Sequence, residues 1–153
     1  MNWRILVHMK PSFVDHRGEG VKKEARLTGL AGVHRVRVGQ AYEILGDVDE
    51  SGARRLADRL LTDPVTQESS VFPADHVARP QGGRLAEIWL KKGVSDPVAD
   101  TVRLAALDLG VKGLDSVRSG QVFDFMGTPA PKAIQQFCEE HLMNPLVQSV
   151  EVL

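Results

Sequence analysis

The chain predicts a duplicated α+β fold, two similar units that each carry strands with helices segregated over them. Three observations lead there. Residues 3–72 align with residues 84–153 at a constant offset of 81 without a gap, and fifteen of the pairs are identical. Among them are Lys10/Lys91, Asp15/Asp96, Gly39/Gly120, Gln40/Gln121, Pro64/Pro145 and Gln67/Gln148. A fixed-period self-similarity of this kind is the signature of a repeated structural unit. Within each repeat, stretches of apolar alternation stand between stretches with helical apolar stripes, and that order gives the class.

Each repeat reads strand, helix, strand, helix, strand. Residues 4–9 are aliphatic enough for a strand. Residues 16–28 form a helix with Val21 and Ala25 on one face, stopped by Gly29 and Gly32. From Val33 to Leu45 the residues Val36, Val38, Tyr42 and Ile44 share a parity opposite Arg37 and Glu43, the pattern of a half-buried strand. Gly39-Gln40 fits either a two-residue hairpin turn or a bend in one long strand. Ala53, Leu56, Ala57, Leu60 and Leu61 make a single apolar stripe on the second helix, which Pro64 ends. Residues 66–72 close the repeat as a strand.

The second copy follows the same plan. A strand at 86–90 precedes a helix striped by Val98, Val102, Ala105, Ala106 and Leu109. Residues 117–126 alternate as a strand, Ile134, Phe137, Cys138 and Leu142 stripe the last helix, and residues 148–153 form the final strand. The organisation is repeat one at 1–72, a linker rich in proline and glycine at 73–85, and repeat two at 86–153. The implied unit is a β-α-β(β)-α-β arrangement related to the ferredoxin-like plan, with antiparallel sheets packed as an intrachain pseudo-dimer.

Bulk properties narrow the function classes. A chain of 153 residues buries about 70% of its unfolded surface, whereas each repeat alone would be marginal, so a shared core is expected. The net charge of −1 makes no electrostatic case for nucleic acid or anionic lipid. No apolar run approaches the roughly 20 residues of a membrane span. The start, Met1 to Val7, is short for a signal peptide and reads as a strand. A single cysteine, Cys138, excludes an internal disulfide and a multi-cysteine zinc site. A cytoplasmic location is the expectation.

Few residues carry a chemical pattern. Asp15 and Asp96 fit a paired-carboxylate reading, but each precedes a helix, and Asp96-Pro97 reads as an N-cap followed by proline at the first helical position. Arg37 and Arg118 recur on the polar face of the central strand, where they serve either a partner interface or a cross-strand ion pair. The five histidines form no zinc-binding motif, and Cys138 lies on an apolar stripe as core filler. Neither a phosphate-binding glycine loop nor a Gly-x-Ser-x-Gly elbow is present. Aromatic residues are too sparse for a base-stacking sheet. A duplicated fold with so little chemistry reads as a binding or assembly module, with no catalytic residue, bound cofactor or metal of its own.

Leu90-Lys91-Lys92-Gly93-Val94-Ser95-Asp96-Pro97, Leu109-Gly110, Val117-Arg118-Ser119-Gly120-Gln121 and Leu142-Met143-Asn144-Pro145-Leu146-Val147 stand in that order in repeat two. This ordered set resembles the small PurS subunit of phosphoribosylformylglycinamidine synthase. Repeat one resembles it more loosely, through Lys10 to Gly18, Val36 to Gln40 and Leu61-Thr62-Asp63-Pro64. Gln40 and Gln121 stand where the family usually carries lysine, Val98-Ala99 replaces Gln-Gly, and Asp63 replaces asparagine.

The resemblance implies a non-catalytic subunit that joins an ATP-dependent ligase subunit to a glutaminase subunit and assists ammonia transfer. The complex would use ATP, Mg and glutamine, none of them bound by this chain. The partners would be those two subunits, with neither nucleic acid nor membrane, and further self-association of the chain is left open. The residues that carry over as interface or structural candidates are Arg37, Arg118, Gln40, Gln121, Lys10 and Lys91. Asp15 and Asp96 carry over as helix caps, and Asp63, Pro64, Asn144 and Pro145 as the closing motif. One rival reading is a tandem ligand-sensing module of the ACT type, since Val14-Asp15-His16-Arg17-Gly18 resembles its strand-to-helix loop.

Overall fold

A computed structural model describes residues 1–76 and 82–153. Six strands and four α-helices follow one another along the described residues: β1 (Trp3–Met9), α1 (His16–Leu27), β2 (Val33–Gly46), α2 (Glu50–Leu56), β3 (Gln67–Pro73), β4 (Gly83–Leu90), α3 (Pro97–Asp108), β5 (Leu114–Gly127), α4 (Pro131–Phe137) and β6 (Gln148–Val152). Hydrogen-bonded neighbours follow the order β3-β1-β2-β5-β4-β6 in one six-stranded sheet. β1 runs antiparallel to β3 with Ile5 opposite Val71, and β4 runs antiparallel to β6 with Ile88 opposite Val150.

The two long strands settle the Gly39 and Gly120 alternatives. β2 and β5 are each 14 residues of uninterrupted strand, with both glycines in mid-strand. Neither glycine has the positive φ that a hairpin turn with glycine first would need. β4 begins at Gly83, within the segment expected as linker, because Leu85 and Leu153 exchange backbone hydrogen bonds of 3.3 and 2.8 Å. The middle of that linker, 77–81, lies outside the described residues.

α2 and α4 each end differently from a plain α-helix. Their apolar stripes continue through a π-helical turn, Ala57–Leu61 after α2 and Cys138–Leu142 after α4. The two π turns occupy equivalent positions in the repeats.

The chain forms two compact units, and neither coincides with a repeat. The first comprises Met1–Phe13, Gln40–His76 and Ser95–Gly120. The second comprises Val14–Gly39, Gln121–Leu153 and, between the repeats, 82–94. Each unit therefore holds the outer strands and second helix of one repeat together with the first helix of the other. The core of the first unit combines Trp3, Ile5, Val7, Tyr42, Ile44 and Leu56 of repeat one with Val102, Ala106 and Val111 of repeat two. The core of the second combines Val21, Ala25, Val36 and Val38 of repeat one with Ile88, Phe123, Phe125, Ile134 and Phe137 of repeat two. The parity group of β2 is thus divided at Gly39-Gln40: Val36 and Val38 serve one core, Tyr42 and Ile44 the other. The core sharing expected from the marginal size of a repeat takes the form of an exchange of first helices and strand halves.

Within each unit a close backbone approach fixes this exchange. In the first, Asp47 N donates to Gly113 O at 2.8 Å, joining the end of β2 to the loop before β5. In the second, Thr128 N donates to Gly32 O at 2.9 Å, joining the end of β5 to the loop before β2. Gly46 and Gly113 have φ of 135° and 82°, and a Cβ on Gly46 would meet the Gly113 carbonyl oxygen while one on Gly113 would meet the Asp47 carbonyl. Only glycine meets both demands.

Candidate functional site

The strand-to-helix loops place one carboxylate in each unit with the same geometry. Asp15 precedes α1, and its Oδ1 accepts the Gly18 amide at 2.8 Å, which satisfies an orphan donor of the first helical turn. Its other oxygen accepts the Val38 amide of β2 at 2.9 Å. Asp96 precedes α3 and accepts the Ala99 amide at 3.0 Å and, through Oδ2, the Ser119 amide of β5 at 3.0 Å. The Ser119 hydroxyl adds a third donor to Asp96 at 2.7 Å. Both carboxylates are thereby committed to structure on both oxygens, each tying a helix start to the middle of a long strand. An acid or base in a reaction would need at least one of those oxygens released.

Charged and amide groups cluster just beyond these ties. In the first unit Arg118 Nη1 lies 3.6 Å from Glu43 Oε2, and Arg4 Nη2 lies 3.4 Å from Glu43 Oε1. One half-buried carboxylate is thus shared between two guanidinium groups. In the second unit Arg17 Nη2 donates to Gln121 Oε1 at 2.8 Å, and the same guanidinium sits 5.6 Å from the centre of the Phe123 ring. Gln121 and Phe123 are two residues apart on β5 and so face the same side. Arg37 and Gln40 are half-buried on β2, Arg37 in the second unit and Gln40 in the first.

The closing motif is a hydrogen-bonded turn built twice. Asp63 Oδ1 accepts the Val65 amide at 2.9 Å, and Asn144 Oδ1 accepts the Leu146 amide at 3.1 Å. Gln67 Oε1 reaches back to the Asp63 amide at 2.9 Å, as Gln148 Oε1 does to the Asn144 amide at 2.8 Å. Asp63-Pro64 and Asn144-Pro145 thus form Asx turns clamped by a glutamine three residues after the proline. Lys10 Nζ donates to Pro64 O at 2.7 Å, which ties the end of β1 to this turn, whereas Lys91 is exposed. The Val65 amide, the Thr66 hydroxyl and amide, and the Lys10 charge hold the Asp63 carboxyl below the usual range.

Two acids elsewhere are pushed the other way. Burial, with the Asp96 charge adding to it, raises the Tyr42 phenol. Burial first, and then the charge of Glu139, pushes the Cys138 thiol up to about 12. That thiol is fully buried and stays protonated at neutral pH, so it has no nucleophilic form there.

The structure joins Lys10 to Pro64, Arg118 to Glu43 and Gln121 to Arg17, and it keeps the two aspartates in separate units. Glu43, Arg17, Ser119 and the two clamping glutamines join the candidate site by tertiary placement and are absent from the residues expected from sequence. The identity of Gln67 and Gln148 was the one available signal for the clamp.

A search of curated proteins returns no match. Among solved structures, Methanocaldococcus jannaschii PurS, one of the subunits of formylglycinamide ribonucleotide amidotransferase in the purine biosynthetic pathway, aligns at 24% identity. The alignment covers 46% of this chain and 92% of that one, with a TM-score of 0.41. B. subtilis PurS aligns at 21% identity over 46% of this chain and 94% of its own, also with a TM-score of 0.41. The family model for PurS, phosphoribosylformylglycinamidine (FGAM) synthase, matches two stretches, residues 2–72 and 86–153. Together they span nearly all of the sequence, and the chain belongs to the PurS family, with the family unit present twice.

Proposed function

We propose that this chain is a non-catalytic assembly subunit that bridges the ATP-dependent ligase and glutaminase subunits of phosphoribosylformylglycinamidine synthase and assists ammonia transfer between them. Family membership makes it a component of that synthase in purine biosynthesis. The observation that carries the finer reading is the duplicated tie of Asp15 and Asp96, which turns the most reaction-like pair of side chains into two structural fasteners. Duplication within one chain supplies two equivalent units without the entropy cost of joining two subunits.

Ammonia attacks only as the neutral base, and release to water protonates and dilutes it, so a rigid adaptor that keeps two active sites in register raises transfer without chemistry of its own. Because each compact unit draws on both repeats, a division of labour between the two partners is a division between units. Arg118 belongs to the first unit and Arg37 to the second, and charge reversal at each is expected to weaken a different contact.

The test is reconstitution from purified ligase, glutaminase and this chain, with ADP and glutamine present. Glutamine-driven amidine formation should depend on the chain far more than formation driven by added ammonium salt. Equal glutamine-driven turnover with and without the chain would refute the role.

A further inference from the structure

Among the differences between the two units, one at the centre of the long strands describes a ligand. In the second unit, the strand face formed by Gln121 and Phe123 is capped by Arg17 from the first turn of α1. In the first unit the equivalent residues are Gln40 and Tyr42 on β2, and Val98 on α3 stands where Arg17 does. No guanidinium can come from position 98, and there the structure has an open groove of about 400 Å³ lined by Tyr42, Leu60, Leu61, Val98 and Thr101 among others, with Gln40 outside the lining but two residues before Tyr42 on the same face of β2. Val98 is 52% exposed at its rim.

We propose that this groove receives an arginine side chain from a partner protein, its guanidinium over Tyr42 and bonded to Gln40 as that of Arg17 lies over Phe123 and bonds Gln121. The leucines suit the three-carbon stem, which packs on apolar surface while its head stays polar. The tyrosine ring offers the head a negative face, and a guanidinium matches a planar amide oxygen and a flat ring better than an ammonium does. Charge complementarity points the same way, because the Asp96 carboxylate acts on Tyr42 within this unit and disfavours its ionised form. A cation entering the groove meets that field favourably. The inference rests on the assembly reading only for the partner's identity as a synthase subunit; the groove's preference for a guanidinium stands apart from it.

Tyr42 is the only tyrosine of the chain, so 3-fluorotyrosine reports on the groove alone. The full-length chain is titrated with N-acetyl-arginine amide and, separately, with N-acetyl-lysine amide, and the fluorine resonance is followed. The arginine probe should give a saturable shift, with the lysine probe about tenfold weaker. Val98→Arg, which supplies the side chain from within, should abolish the response while keeping the melting temperature at or above that of the parent. Gln40→Leu should weaken the arginine probe several-fold and leave the lysine probe unchanged. The proposal fails if the arginine probe gives no saturable shift, if both probes act alike, or if the folded Val98→Arg chain still responds. Saturation by n-butanol without saturation by the arginine probe would mark an apolar ligand site instead. These outcomes are independent of reconstitution, so loss of one reading leaves the other measurable.

Discussion

The Asp15 carboxylate that begins α1 also holds Val38, 23 residues further on, its Oδ2 accepting that backbone amide at 2.9 Å. Asp96 holds Ser119 across the same separation at 3.0 Å. A helix start and the middle of a long strand are thereby fastened through one side chain, and the fastening appears once in each compact unit.

Removing it should cost more than an ordinary cap. An N-cap truncation costs about 0.5–2 kcal/mol, and a hydrogen bond to a charged group contributes about 1.5–3 kcal/mol. Asp96→Ala is therefore expected to lower stability by about 2–5 kcal/mol. Asp15→Asn, which retains one carbonyl oxygen, should cost roughly half as much. Urea unfolding with an unchanged slope checks both. A loss within about 0.5 kcal/mol for Asp96→Ala would mean that the strand tie contributes nothing.

The glycine contact in the first unit makes a second expectation. Gly46→Ala places a methyl group against the Gly113 carbonyl at a φ of 135°. Positive φ alone costs an alanine roughly 1–2 kcal/mol, and the overlap with backbone adds to it. Gly29 has a φ of 83° but open space around its Cβ position, so Gly29→Ala should show the conformational cost alone. Gly46→Ala should lower the melting temperature more than Gly29→Ala does, since φ of 135° lies further from the left-handed well and the overlap adds to it. Equal losses would mean that the backbone approach at Gly46 relaxes freely.

Cys138 should resist alkylation. Its thiol is raised to about 12 and is buried, so iodoacetamide should label it at the rate of unfolding and instantly in denaturant. Rapid labelling of the native chain at neutral pH, read by intact mass, would contradict this placement.

The same burial sets an alkaline limit. Cys138 and Tyr42 both have folded-state values raised above their ordinary ones of 9.0 and 10.0. A group raised on folding contributes stability that is complete below its unfolded value and is lost as pH climbs through its folded value. Stability should hold to about pH 9 and fall beyond it, and Cys138→Ala should remove the earlier part of the decline. Melting temperatures across the alkaline range measure it.

Much of this architecture was legible in residue order, and the unreadable part has a physical cause. Alternation at Val36, Val38, Tyr42 and Ile44 marked β2, and the stripe at Ala53, Leu56 and Leu60 marked the second helix. The partner of each helix was not legible. Val21 and Ala25 of α1 are identical to Val102 and Ala106 of α3, so packing within a repeat and exchange between repeats bury the same side chains. The difference lies in strand length: because β2 and β5 run unbroken through Gly39 and Gly120, each passes from one core to the other. The π turns at Ala57–Leu61 and Cys138–Leu142 carry no local marker, since their apolar residues fit an α-helical stripe equally well. At the candidate site, the caps announced one oxygen of each aspartate, while the second oxygen's partner depended on tertiary placement. Arg17 was hidden because its counterpart is valine, and an exchange that breaks the repeat cannot be read from the repeat.

The exchange of first helices is the claim on which the rest depends, and methyl-resolved nuclear Overhauser spectroscopy tests it directly. Cross-peaks should connect Val102 to repeat-one methyls of its core, such as Ile44 and Leu56, and Val21 to repeat-two methyls such as Ile88 and Ile134. Cross-peaks from Val102 confined to residues after 82, with those from Val21 confined to residues before 77, would show that each repeat keeps its own helix and would contradict the account.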